Sequence, residues 1–330
     1  MKAWWRRTPW TLLAAALLCA ASFLEPRLPL ARPRFEIVVV LDITQSMNTA
    51  DMVAEGRPVS RLALARAALQ AALPALPCGS RLGWAAFTEA RSYLLMTPVE
   101  VCANRAELRA TLDHIDGRMA WSGNSEIAKG LHSARVMVGD LPEHPALVFV
   151  TDGQEAPPLE PRFRPHFDDK PGQVAGLLVG VGAPRLSPIP KTDPSGRPIG
   201  FWSADEVAQV DPRSQGRNSS VGGEGLVDEQ GRAAGAVAGG LGATPGSEHL
   251  SSLREGYLRQ LATENGFDYL RLDDPEALAR ALQAPAFARP LKTPVDGRIA
   301  LAALALALLV WPYLRSAWRQ RAGGRVLNAR

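Results

Sequence analysis

The run Phe35-Glu-Ile-Val-Val-Val-Leu-Asp-Ile-Thr-Gln-Ser-Met47 constrains the fold more than any other stretch of the chain. Ile37 to Leu41 is an unbroken β-branched and aliphatic segment. It is too short for a helix of its own and reads as a strand buried on both faces, the kind found in parallel sheets covered by helices. Asp42, Thr44 and Ser46 follow at alternate positions. A carboxylate and two hydroxyls at the C-terminal tip of a buried strand make a poor core. They suit a small hard cation, which takes oxygen ligands, and in open α/β sheets ligands sit at that edge.

The chain then keeps an alternating rhythm. Helical periodicity runs from Ser60 to Leu73, with Ser60 as N-cap and Pro74 as stop. Strands are expected at 81–87 and 93–96, a helix at 104–115, a polar loop at 121–125 and a helix at 126–138. A second fully apolar strand, Ala146 to Thr151, ends in Asp152-Gly153, and a third spans 174–181. A helix at 253–264, a strand at 267–270 and a helix at 275–282 close the pattern. This order predicts a doubly wound, mostly parallel six-stranded α/β sheet with helices on both faces.

Two stretches break the rhythm inside the domain at 35–283. Residues 155–173 are Pro-rich and carry Phe163, His166, Phe167 and Asp168-Asp169. Residues 183–252 are Pro-rich to Val210, with Phe201-Trp202, and Gly/Ser/Ala-rich from Asp211 to Gly246, a composition that predicts flexibility. Each follows the C-terminal end of a predicted parallel strand. Both are therefore expected to form a rim around the edge that carries Asp42.

The flanks read as membrane anchors. Apolar runs at 9–24 and 299–314 hold 16 residues each, ~24 Å as helices against a ~30 Å hydrocarbon core. Trp10, Trp311 and Tyr313 suit interfacial positions. The first run is an uncleaved anchor or a cleavable signal peptide ending near Ala20-Ala21-Ser22. Segments 25–34 and 284–298 read as linkers. Lys2, Arg6 and Arg7 in 1–8, and Arg315, Arg319, Arg321, Arg325 and Arg330 in 315–330, put eight positive charges and no acid at the two ends. The whole chain is +4, so the segment between carries about −4. The basic balance thus belongs to the tails and does not point to nucleic acid. Positive flanks stay cytoplasmic, which puts the main domain in the periplasm and the anchors in the inner membrane. There Cys78 and Cys102 are two buried free thiols or a disulfide closing a loop of ~25 residues, which would add ~3 kcal/mol.

Asp42 and Asp152, at the tips of two neighbouring buried strands, would repel unless a cation or proton lies between them. Thr44, Ser46 and Ser125, the last in the polar loop, complete a five-oxygen set suited to Mg²⁺ or Mn²⁺, with Ca²⁺ as a further option. Asp51 reads either as a second cation ligand or as a solvated loop acid. Trp121 reads as part of a partner groove or as loop packing, and Phe201-Trp202 as a docking anchor or as packing of the insertion.

Asp42-x-Thr44-x-Ser46, Ser125 and Thr151-Asp152-Gly153 resemble the von Willebrand factor A fold and its metal-ion-dependent adhesion site, with Thr44 in place of a Ser and Ser125 in place of a Thr. The resemblance implies binding of a partner's acidic side chain through the metal, and no catalysis. Tyr257 to Tyr269 and Asp274 to Leu278 are similar to the end of the bacterial membrane-anchored members. Pro77-Cys-Gly-Ser80, Pro98 to Asn104, Asp116 to Ser125 and Phe149 to Gly153 followed by Glu155 to Pro158 are similar to the MxaL-type family of methanol-oxidation gene clusters. That likeness implies maturation of periplasmic methanol dehydrogenase, including placement of its Ca²⁺, as the role. A broader envelope assembly or stress-tolerance role is the alternative.

Enzyme signatures are missing. A phosphatase of the haloacid-dehalogenase type needs Asp-x-Asp, and Thr44 stands at the second Asp position. No Gly-x-Gly-x-x-Gly follows the first strand, no Gly-x-Ser-x-Gly is present, and the five histidines show no metal-ligand spacing.

Overall fold

The aliphatic run 37–41 is the middle of a sheet, with a parallel strand hydrogen-bonded on each side. A computed structural model describes residues 8–24, 27–160, 164–165, 167, 170–210 and 246–324. They form two compact units, Arg34–Arg289 and the joined segments Met1–Pro33 with Pro290–Arg330.

In chain order the elements begin with α1 (Thr8–Ser22) and β1 (Arg27–Asp42), then a short hairpin of β2 (Met52–Ala54) and β3 (Arg57–Val59). Next come α2 (Arg61–Ala72), β4 (Arg81–Thr88), β5 (Arg91–Glu100), α3 (Arg105–His114), α4 (Ile127–Gly139), β6 (Ala146–Thr151) and β7 (Gly176–Gly180). The second insertion holds β8 (Ser187–Pro188), β9 (Pro190–Thr192), β10 (Pro198–Phe201) and β11 (Leu250–Ser251). The chain continues through α5 (Glu255–Asn265), β12 (Asp268–Arg271), α6 (Pro275–Ala281), β13 (Ala288–Asp296) and α7 (Arg298–Gly324).

The main sheet runs β12-β7-β6-β1-β4-β5, and β13 pairs with β1 off this path. Every contact along the path is parallel except β4–β5. Strand alternation builds two cores. Ile37, Val39 and Leu41 join Trp84, Val148 and Val150 on the face covered by α2, α3 and α6. Val38 and Val40 join Phe87, Leu147 and Phe149 against α4 and α5. Burial on both faces is why these strands lack polar alternation. From β1 the chain moves first to β4 on one side and later to β6 on the other. The crevice beyond the C-terminal ends of β1 and β6 is therefore the topological switch point, where such sheets bind ligands.

Several predicted elements stand close to their expected bounds. Ser60 caps α2 by accepting from the Ala63 amide at 3.2 Å. The β2–β3 hairpin turns on Glu55 (φ 51°) and Gly56 (φ 76°), the paired positive dihedrals that let a two-residue turn match the strand twist. The stretches read as linkers differ from expectation: residues 27–34 are strand in β1, and most of 284–298 is β13.

The two apolar runs are helical, as α1 and α7, and these two helices lie beside each other in their unit. Among the described residues no helix is long and apolar enough to cross a membrane. α1 has 15 residues, ~22 Å of rise, and α7 carries Pro312 within its length. Residues 1–7, 211–245 and 325–330, together with Phe163, His166, Asp168 and Asp169, lie outside the described residues.

Candidate functional site

The site is built by register. Leu41 pairs with Val150 across β1 and β6, which brings Thr151 beside Asp42. The Thr151 hydroxyl donates to Asp42 Oδ2 at 2.6 Å. The backbone amide and the hydroxyl of Thr44 donate to Asp42 Oδ1 at 2.9 and 2.7 Å. A one-turn 3₁₀ helix, Gln45–Asn48, follows and turns Ser46 Oγ to within 3.4 Å of Thr44 Oγ1. The loop before α4 is laced to its neighbours. Ser125 and Ala156 exchange backbone hydrogen bonds at 2.6 and 2.8 Å, and the Glu126 amide donates to the Glu89 carbonyl at 2.5 Å. This fixes Ser125 at the same edge, where its buried Oγ has no hydrogen-bond partner. A buried hydroxyl of this kind needs an explanation.

Asp152 sits beneath the loops. Its Oδ1 accepts from the Gln154 amide at 2.9 Å. Its Oδ2 accepts from Arg61 Nη1 at 2.5 Å and from Ser251 Oγ at 3.3 Å. Arg61, whose side chain has no exposed surface, also bonds Asp51 through Nε and Nη2, the latter at 2.6 Å. Burial works against its charge, but Asp152 and Asp51 more than offset that and raise its pKa. Arg61 pairs with Asp51 and Asp152, while the partners of the buried Asp42 carboxylate are Thr44 and Thr151, so these three carboxylates and one guanidinium carry a formal charge of −2. Asp42 bears the consequence: burial first, and the Asp152 carboxylate second, push its pKa up to about 7.

These residues fit a divalent cation. The residual charge is −2, the donors are all oxygen, and one buried hydroxyl lacks a partner. Separations of 2.7 and 3.4 Å along Asp42 Oδ1, Thr44 Oγ1 and Ser46 Oγ bracket the ~3 Å edge of an octahedron with ~2.1 Å bonds. Among the described residues another close group of potential ligands is Cys78, Glu100 and Cys102. Its sulfurs are joined to each other as a disulfide, so it is not a metal centre.

Above the hydroxyls lies a cleft of about 230 Å³ whose floor includes Thr44, Ser46 and Ser125. Glu155 to Pro158, from the first insertion, form one wall. Ile189, Trp202, Glu206 and Glu248, from the second, form another. Both insertions therefore contribute to the edge that carries Asp42. Trp202 is tied to the Gln45–Asn48 turn by donating its indole N–H to Gln45 Oε1, and the Lys191 ammonium lies 4.6 Å from its ring centroid. Glu248 is held by Gln154 Nε2 at 3.1 Å, and Gln154 Oε1 in turn accepts from Arg254 at 3.0 Å. Burial raises the pKa of the Glu155 carboxyl to about 7.

Some sequence readings are redirected. Asp51 is neither a solvated acid nor placed among the cleft oxygens; it is buried and paired with Arg61. Trp121 stands outside the cleft, half exposed, with its ring on Tyr93 and its N–H donated to Glu89 at 2.9 Å. Of the Phe201-Trp202 pair, Trp202 packs into the cleft wall and Phe201 is exposed. Arg61, Ser251, Gln154, Glu155 and Glu248 were not singled out from sequence. Arg61 left one trace: a cation in the first turn of a helix opposes the helix dipole and so asks for a nearby acid.

Residues 37–154 match the family model of the von Willebrand factor type A domain. No curated protein matches the chain. Solved structures similar to it include an aerotolerance-related membrane protein from Bacteroides fragilis, in a form with multiple mutations to serines (16% identity, 75% of this chain and 96% of that one, TM-score 0.45). BatB from Bacteroides thetaiotaomicron is another, at 15% identity, with 76% and 95% of the two chains covered and a TM-score of 0.45. A third is a von Willebrand factor type A protein from Catenulispora acidiphila, at 12% identity, covering 82% and 43%, with a TM-score of 0.36. The α/β segment that carries Asp42, Thr44, Ser46, Ser125 and Asp152 is the part of the chain that is similar to the von Willebrand factor type A domain.

Proposed function

We propose that this protein binds a partner protein through a divalent cation, Mg²⁺ foremost, held by Asp42, Thr44, Ser46, Ser125 and Asp152. The observation that carries the reading is the formal charge of −2 on these buried side chains beneath a cleft floored by hydroxyls. When bound, the cation supplies a Lewis-acidic position open to the cleft, which takes an Asp or Glu side chain of the partner. The chain's own residues do the rest. Thr44 and Thr151 orient the Asp42 carboxylate, Arg61 holds Asp152, and the insertion walls screen the contact from water, where a charge-assisted bond is strongest. The role is binding; no group in the cleft is assigned to catalysis.

The proposed setting is a membrane. α1 and α7 expose Trp10, Leu12, Leu17, Leu306, Trp311 and Tyr313, a surface better matched to lipid than to water. We place the pair in the inner membrane and the domain in the periplasm, as the charge of the tails implies. The favoured client is methanol dehydrogenase during maturation or calcium insertion, on the likeness of the 77–80, 98–104 and 116–125 stretches to that family. The second reading is an assembly or stress-tolerance factor for another envelope protein, which the segment 257–278 favours.

A pull-down with the full-length protein, with Mg²⁺ and then with EDTA, tests the function. Capture that depends on Mg²⁺ and is lost in Asp42→Asn supports it, and the captured client separates the two settings. Equal capture in EDTA refutes metal-mediated binding.

A further inference from the structure

Arg61 uses its whole hydrogen-bonding capacity inside the domain. Its five N–H donors are met by Asp51, by Asp152 Oδ2, by Ser251 Oγ at 2.6 Å and by the Ser251 carbonyl at 3.1 Å. Space is kept for it: at Gly182 (φ +137°) a Cβ would stand 2.8 Å from Arg61 Nε. Asp51 is fixed in turn, accepting from the Ala183 amide at 3.2 Å as well as from Arg61. Of the other charges nearby, Arg254 is disfavoured by burial and favoured first by Glu248 and then by Asp152, and Glu155 is turned to Tyr257 and the start of α4.

We propose that Arg61 is a specificity-determining residue that makes the metal-loaded site accept an anion. Asp42, Asp51 and Asp152 with Arg61 sum to −2, so a divalent cation brings the cluster to zero, and an incoming carboxylate meets a neutral site with an open cation face. Without Arg61 the loaded cluster would be −1 and would repel that carboxylate, while attracting the metal itself more strongly. Arg61 thus trades metal affinity for affinity toward an acidic partner. Its place on a helix start, with Asp51 ten residues earlier and Ser251 at the neck of the second insertion, holds this charge under the floor of the cleft. This inference rests on the metal-binding function proposed above.

The test uses Mn²⁺ and acetate with the full-length protein. Electron paramagnetic resonance of free Mn²⁺ gives metal affinity. Relaxation of ¹³C-acetate by bound Mn²⁺ reports carboxylate coordination. Wild type is expected to bind Mn²⁺ and relax acetate. Arg61→Gln should bind acetate at the loaded site about tenfold more weakly, the size expected of one charge about 12 Å away at an effective dielectric of ~20. The double variant Asp51→Asn with Arg61→Gln returns the cluster to −2 and should restore acetate binding, which a purely structural role for Arg61 would not do. Asp51→Asn alone, which leaves Arg61 on Asp152, should weaken Mn²⁺ about tenfold and strengthen acetate; it serves as the deciding arm if Arg61→Gln fails to fold. Unchanged acetate relaxation in Arg61→Gln, no restoration in a folded double variant, or unaltered binding in Asp51→Asn overturns the inference alone. Absence of Mn²⁺ binding in wild type overturns it together with the proposed function.

Discussion

The Tyr257 hydroxyl donates to the Glu155 carboxyl at 2.5 Å, with both side chains buried at the wall of the cleft. Burial raises the Glu155 pKa to about 7 and also raises that of Tyr257. Glu155 binds its proton more tightly folded than unfolded. Its contribution to stability is therefore full below about pH 4.5 and is lost as pH rises to about 7. Glu155→Gln keeps the acceptor for Tyr257 and cannot ionise. Measured by denaturant unfolding, the variant should gain on wild type from pH 4.5 to 7, by on the order of 3 kcal/mol at the top of the range. A constant difference across that range would contradict the assignment.

Metal should stabilise the fold through Asp42. With Mg²⁺ at about a hundred times its dissociation constant, wild type should gain ~2.7 kcal/mol. Asp42→Asn should melt normally without metal and show no such gain in a thermal scan. Asp152→Ala should also lose the gain, and should be destabilised by roughly 3 kcal/mol besides, because it leaves the buried Arg61 short of a partner. An undiminished Mg²⁺ response in Asp42→Asn would remove that residue from the site.

Gly130 sits on α4 where the helix meets β4. A Cβ there would lie 2.0 Å from Phe87 Cε2, in a ring already packed on Phe149 at 5.4 Å between centroids. Gly130→Ala should lower stability by roughly 2 kcal/mol, because overpacking a dense core outweighs the ~1 kcal/mol that alanine adds to a helix. Calorimetry showing a higher melting temperature would exclude this close packing.

Cys78 and Cys102 are joined, with 24 residues of sequence separation, while Cys19 is free and exposed. Maleimide should label one thiol per chain in the denatured, unreduced protein and three after reduction. Reduction should also cost ~3 kcal/mol in unfolding free energy. Three labels without reductant would mean the bond is not formed.

The sheet was legible because its strands had nowhere to hide their pattern. Val38 to Leu41 and Leu147 to Val150 are apolar on every position, which only a strand covered on both faces tolerates. Ser60, an observed N-cap, marked a helix start as a hydrogen-bond acceptor must. The hydroxyl and carboxylate positions could be read because polar groups directly after such strands demand a reason. Arg61 could not, because its reason is distant: its partners lie 10, 91 and 190 residues away in sequence. Nor could β13, whose residues look like a linker until β1 offers them an edge.

The neck of the second insertion carries one further consequence. Leu250 and Ser251 pair with Pro188 and Ser187, and the Leu253 amide returns to the Ala183 carbonyl at 2.9 Å, so the excursion departs and re-enters at one spot. Length added beyond that clasp is entropically cheap, each doubling costing only ~0.6 kcal/mol. A slip of a single residue within it would pull Ser251 off Arg61. Variation in this chain is thus free where it faces outward and forbidden at the knot that ties the loop to the guanidinium.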